Sequence, residues 1–187
     1  MPTQNPDPYP PDITTYLNSA AVTSKIGSQS EWTKTSSDVS GQFDTTGDLM
    51  RSSLSDLEDV INAGVRTVLY SGDADYSGNF IGVETMVRAS YFLLLFLAFA
   101  LTLSLHAKID FLDTKFSQQF AKQNFANYTV GNGWNAGLYK NAGTFSYVRF
   151  FGAGHQVPAY QWGYIPRGLA TWHMFTQIMF NDSLTGT

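Results

Sequence analysis

SYVRFFGAGHQVPAY, residues 146–160, sets a run of β-branched and aromatic side chains against a glycine-walled loop that carries one histidine, His155. The run Phe145 to Phe151 predicts a strand, Gly152 and Gly154 allow the chain to turn sharply, and Pro158 delays any following helix. Upstream, VLYSGDADYSGN (residues 68–79) has the same form. The strand-like run Val65 to Tyr70 is stopped by the turn chemistry of Ser71-Gly72-Asp73, and Asp75 follows at once. Taken singly, each is an ordinary turn, since Asp and Gly favour turns anyway. Together they place an acid and then a base at two strand ends, the two groups that activate a hydroxyl nucleophile by proton transfer. The nucleophile itself is absent: no Gly-x-Ser-x-Gly occurs in the chain.

Reading outward, strand-like runs are interspersed with stretches of helical spacing. Five prolines in residues 1–12 read as an extended approach to a short helix that opens at Asp12 and ends near Gly27. Residues 27–41 read as a polar loop or lid. Leu49, Leu54, Leu57, Val60 and Ile61 have helical spacing within residues 48–64. Phe111, Leu112, Phe116, Phe120 and Phe125 predict an amphipathic helix on the sheet, its aromatic stripe belonging to the core. Residues 129–138, rich in Gly and Asn, predict a turn between short strands, and residues 168–180 a last helix with His173 as a surface or packing residue.

The two loops resemble those of the serine carboxypeptidases, particularly the fungal type, whose acid sits in Gly-Asp-x-Asp-[Phe/Tyr] and whose base sits in Gly-x-Gly-His-x-Val-Pro. NPDPYPPDITTYLN (5–18), Trp32, FDTTGDLMR (43–51) and LYKNAGTFSYVR (138–149) are similar to that family as well. The resemblance implies the C-terminal part of an α/β-hydrolase fold, with residues 1–187 one portion of a single catalytic domain and an incomplete sheet that leaves an open edge. It implies Asp75 as the carboxylate that orients the histidine, His155 as general acid/base, and Asp73 as a turn residue. The nucleophilic serine of the family lies in an elbow upstream, so this chain alone is expected to be inactive. Tyr76, Gly78 and Gln156 fall next to the substrate in the family; Gly78 stands where a cysteine is common, and Gln156 where Glu or Met is. The implied activity is peptide hydrolysis from the C-terminus, with a peptide or protein substrate, no cofactor, and a secreted or vacuolar parent enzyme. The competing readings are a non-catalytic peptide-binding or interaction module and a small membrane-anchored protein.

Composition narrows the classes. A net charge of −4, without runs of Lys or Arg, lacks the basic footprint of a nucleic-acid binder. With no cysteine and only three histidines there is no disulfide framework and no metal-ligand spacing. The sequons at Asn127 and Asn181 are candidate glycosylation sites that lean towards a secretory route, although residues 1–10 do not read as a signal peptide.

One stretch does not fit. Between Arg88 and Lys108 run 19 residues without Asp, Glu, Lys or Arg, including SYFLLLFLAFALTLSL. As a helix it would be ~28 Å long, enough to span a bilayer. A span, however, would put Asp75 and His155 on opposite sides of the membrane, which a touching pair forbids. A buried helix apolar on every side would need more cover than a chain this size offers. The third reading is an insertion, residues 87–108, encoded by a retained intron. Val87-Arg88 is compatible with a splice-donor pattern, Leu101-Thr102 with a branch point and Lys108 with an acceptor, and deletion joins Met86 to Ile109 in frame. Only a true anchor at 89–107 would make a membrane a partner.

Overall fold

A computed structural model describes residues 12–88 and 112–185 of the chain. The proline-rich start and the apolar stretch 89–107 therefore lie outside the described residues. The described residues divide into two units, one up to Ser52 and a larger one from Ser53 onward.

The smaller unit holds α1 (Thr14–Leu17), α2 (Ala20–Ile26), α3 (Ser37–Thr45) and a 3₁₀ turn at Asp48–Met50. The expected single helix from Asp12 to Gly27 is broken after Leu17 because Asn18 turns its amide to a distant strand of chain. Its Oδ1 accepts from the Trp32 amide at 2.7 Å and its Nδ2 donates to the Trp32 carbonyl at 2.9 Å. The predicted loop 27–41 is also shorter than expected. Ser36 accepts a hydrogen bond from the Val39 amide at 3.3 Å, an N-cap that starts α3 inside a segment whose Ser/Thr content reads as loop. None of these four helical pieces has a buried residue.

The larger unit runs α4 (Leu54–Asn62), β1 (Thr67–Gly72), α5 (Phe80–Arg88), α6 (Ser117–Lys122), β2 (Ala126–Val130), β3 (Trp134–Ala142), β4 (Phe145–Phe150) and α7 (Leu169–Met179), with a 3₁₀ turn at Val157–Ala159. The helical spacing of residues 48–64 is realised as α-helix only from Leu54, since Arg51 is extended and α4 begins after Ser53. The amphipathic helix expected over 111–125 shrinks to α6. Other partners take the backbone amides before it: Asp113 N donates to Glu58 Oε1 at 2.6 Å and Lys115 N to Asn62 Oδ1 at 2.9 Å, both far along the chain, and Thr114 N donates locally to Ser117 Oγ at 2.7 Å. Leu112 and Phe120 still reach the core, each at most 2% exposed, so the apolar pattern was right and its helical period was not.

The strands form one sheet in the order β1-β4-β3-β2. β1 pairs parallel to β4, while β4 with β3 and β3 with β2 are antiparallel. β4 is central and buried on both faces. Phe145 and Tyr147 enter one core with Ile61, Val87, Leu112 and Phe120, while Val148 and Phe150 enter another with Tyr128, Met174 and Leu184. Successive side chains of a strand point to opposite faces, so helices cover both sides of the sheet and the fold is α/β. On the outer face of α7, Trp172 and Phe175 stack with centroids 5.9 Å apart and stay exposed.

Candidate active site

The register of β1 on β4 builds the site. Gly72 lies opposite Phe150, so two parallel neighbours end together and their loops emerge side by side at the carboxyl edge of the sheet. Asp75 is three residues beyond one end and His155 five beyond the other. A carboxylate and an imidazole far apart in sequence meet there: His155 Nδ1 lies 2.9 Å from Asp75 Oδ2.

The partners fix the protonation pattern. Asp75 Oδ1 accepts from the Ser77 amide at 2.9 Å and the Gly78 amide at 3.0 Å, an Asx-type turn that aims Oδ2 at the ring. An ionised carboxylate only accepts, so Nδ1 carries the proton and Nε2 of the neutral ring keeps its lone pair. Among the described residues nothing bonds to Nε2. The Asp75 side chain is 8% exposed and that of His155 76% exposed, so the acid is sheltered by its own loop while the base is open. This arrangement can take a proton from a group brought to Nε2 and stabilise the resulting imidazolium through Asp75.

The hydrogen bond from His155 is the main cause that holds the Asp75 carboxyl below its ordinary value of 3.8, with burial opposing it and the Gly78 and Ser77 amides adding to it. With a depressed folded-state pKa, the unfolded chain binds the proton more readily. The contact therefore stabilises the fold above the ordinary carboxyl value and ceases to do so as pH falls through the lowered one. Asp75→Asn should flatten the acid limb of the stability curve below about pH 5, read from thermal melting as pH is lowered. An unchanged acid limb would mean that the contact does not persist in solution.

Asp73 does more than make a turn. Its Oδ1 accepts from the Gly152 amide at 2.7 Å, across from the acid loop to the base loop. Sequence reading missed this because the partner is a backbone amide 79 positions away. The remaining predicted residues scatter around the pair. Tyr76 is 97% exposed, Gln156 is exposed, and Gly78 lies so close that a Cβ there would be 3.1 Å from Asp75 Oδ2 and 3.7 Å from His155 Nδ1. His173 packs on the Tyr128 ring at 5.9 Å, well away from the pair in role. Asn127 is exposed on β2, and Asn181, with φ 58°, accepts from Arg66 Nη1 at 3.3 Å. Among the described residues no group of three His, Cys, Asp or Glu could hold a metal ion.

The chain matches the family model for serine carboxypeptidase over residues 2–178. It is similar to carboxypeptidase S1 of Penicillium janthinellum, 33% identical over 156 residues, which is 83% of this chain and 31% of that protein. Carboxypeptidase S1 homolog A of Arthroderma benhamiae is 30% identical over 186 residues, 96% of this chain and 24% of that protein. Carboxypeptidase Y homolog A of Sclerotinia sclerotiorum is 27% identical over 147 residues, 78% of this chain and 23% of that protein. The chain thus spans 31% and 24% of the lengths of the first two.

Proposed function

The chain belongs to the serine carboxypeptidase family, and from that premise we propose that Asp75 and His155 are the acid and the general base of a Ser-His-Asp triad whose serine is not in this sequence. The observation that carries the proposal is the 2.9 Å contact between His155 Nδ1 and Asp75 Oδ2, with Nε2 left open. The mixed sheet with helices on both faces is part of an α/β-hydrolase fold. In the reaction, His155 Nε2 takes the proton of the serine hydroxyl as it attacks the last peptide carbonyl. It then gives that proton to the leaving amino acid, and repeats the transfer with water to release the acyl group. Asp75 holds the ring in the tautomer this requires. The substrate is a peptide or protein, and Tyr76, Gly78 and Gln156 border its path. Asn127 and Asn181 are offered as glycan acceptors, in keeping with a secreted or vacuolar enzyme.

A binding module has no use for an imidazole held against a carboxylate with its second nitrogen free, which favours the catalytic reading. A membrane-anchored protein would depend on 89–107; among the described residues, no helix is long and apolar enough to cross a membrane.

Residues 87–108 are part of the proposal as an insertion foreign to the domain. The Leu112 amide donates to the Met86 carbonyl at 3.1 Å, so the chain on either side of the stretch meets at one point. Removal need not displace anything else there. Val87 is 3% exposed in the core, and in the shortened chain Ile109 would follow Met86 in its place, another β-branched apolar residue. The test is the transcript and its product. A transcript that adds Gly-x-Ser-x-Gly upstream and omits these 22 codons (87 to 108) should yield a protein that releases C-terminal residues from peptides. A product with the serine, the acid and the base that releases none would overturn the functional reading.

A further inference from the structure

The acid loop and the base loop touch backbone to backbone. Asp73 N donates to the Phe150 carbonyl at 3.0 Å, and Ala74 N to the Ala153 carbonyl at 2.9 Å. Gly72 lies so near Ala153 that a Cβ on it would overlap the Ala153 carbonyl oxygen. One side chain joins these contacts: the Asp73 carboxylate accepts from the Gly152 amide at 2.7 Å. Gly152 is the pivot of the base loop. It has φ 63°, and it opens the turn that ends three residues later at His155.

We infer that Asp73 is a positioning residue, which sets the distance between Asp75 and His155 by clasping the Gly152 amide, and touches neither the ring nor a substrate. The inference rests on the reading of Asp75 and His155 as a working pair. Three observations support it beyond the contact itself. First, the residue is placed where a small change is magnified: the loop from Gly152 to His155 has no strand partner, whereas β4 before it is paired on both sides. A loosened pivot therefore moves the ring and leaves the sheet in place.

Second, Asp73 is held in surroundings that a mere turn residue does not need. Burial pushes its carboxyl up from the ordinary value, against the Gly152 hydrogen bond and the nearby charge of Arg149, which favour the ionised form. A partly buried carboxylate kept against its own desolvation is retained for a contact, and the Gly152 amide is the contact it makes. Third, Arg149 is itself anchored. It pairs with Glu84 of α5 at 3.0 Å and lies over the Phe80 ring at 4.7 Å, so the favourable charge beside Asp73 is fixed in place.

The titration of Asp75 in the whole chain reads this out, by carbon-13 NMR of its carboxyl group. In the wild type its midpoint should lie below the ordinary value, and an ordinary midpoint there would remove the pair reading itself. With the pair intact, Asp73→Ala should raise the midpoint towards the ordinary range, because the ring drifts off and the hydrogen bond is lost. Asp73→Asn keeps an acceptor oxygen for Gly152 and should not raise it. Losing the charge of Asp73 alone would lower the midpoint in both variants, so a rise confined to Asp73→Ala isolates the clasp. No rise in Asp73→Ala, or an equal rise in both variants, overturns the inference while leaving the pair standing. Whether or not the variants fold, the wild-type Gly152 amide should be protected from hydrogen exchange; exchange at the rate of an unstructured loop also overturns it.

Discussion

His155→Ala, made in a polypeptide that unites this chain with a serine-bearing segment and lacks residues 87–108, should lower kcat for peptide hydrolysis by about 10⁶-fold, the scale seen when a serine hydrolase loses its base. The loss is large because the ring enters every proton transfer of the cycle. It takes the serine proton on attack, protonates the departing amine, and serves water in the second half. KM should move far less, since Nε2 faces the reacting atoms rather than the parts of the peptide that give affinity. Asp75→Ala should cost less, about 10⁴-fold, because the ring can still act in the fraction of time when it is correctly turned. Steady-state kinetics on a peptide with a free C-terminus would check both. Similar losses from the two changes would argue against this division of roles, and a loss under about tenfold for His155→Ala would remove the histidine from the chemistry.

That pair was legible in the sequence for a definite reason. Each member follows a β-branched run that ends in Gly-rich turn chemistry, and such signals are local. Strands β1 and β4 were legible for the same reason; β3 was not, because its first residues, Trp134 to Leu138, lie in the Gly- and Asn-rich stretch that reads as a turn. What was illegible depends on partners far along the chain. The helix expected over 111–125 gave way because Glu58 and Asn62 take the Asp113 and Lys115 amides. The break after α1 comes from Asn18 reaching Trp32. The start of α3 is a different case, since the Ser36 cap is a local signal that lay unrecognised inside a polar stretch. In the site, Asp75 and His155 could be named, but not the clasp by Asp73, because nothing in a linear sequence says that Gly152 lies across from it.

Gly72→Ala should therefore be far more damaging than Gly78→Ala, although Gly72 looks like one more turn glycine. Its φ is not left-handed, so an alanine is acceptable to its own backbone, and the whole penalty is contact. The added methyl would overlap the Ala153 carbonyl and lie 2.8 Å from the Gly154 carbonyl oxygen, two backbone groups that cannot swing aside as a side chain would. β1 is held along its length by β4, whereas the loop bearing Ala153 is not, so the loop is what must yield. Yielding by about 1 Å breaks the Ala74 amide's bond to Ala153 and carries His155 away from Asp75. A displacement of that size in a catalytic group costs about 10²-fold in kcat. Gly78→Ala is the internal comparison. Its Cβ would meet the Asp75 carboxylate at 3.1 Å, a side-chain contact that a few tenths of an ångström relieve, so its effect should be several-fold at most. Measured in the united polypeptide, kcat should fall in the order wild type, Gly78→Ala, Gly72→Ala. The reverse order would mean that crowding at the carboxylate, rather than the seating of one loop on the other, governs the alignment of the pair.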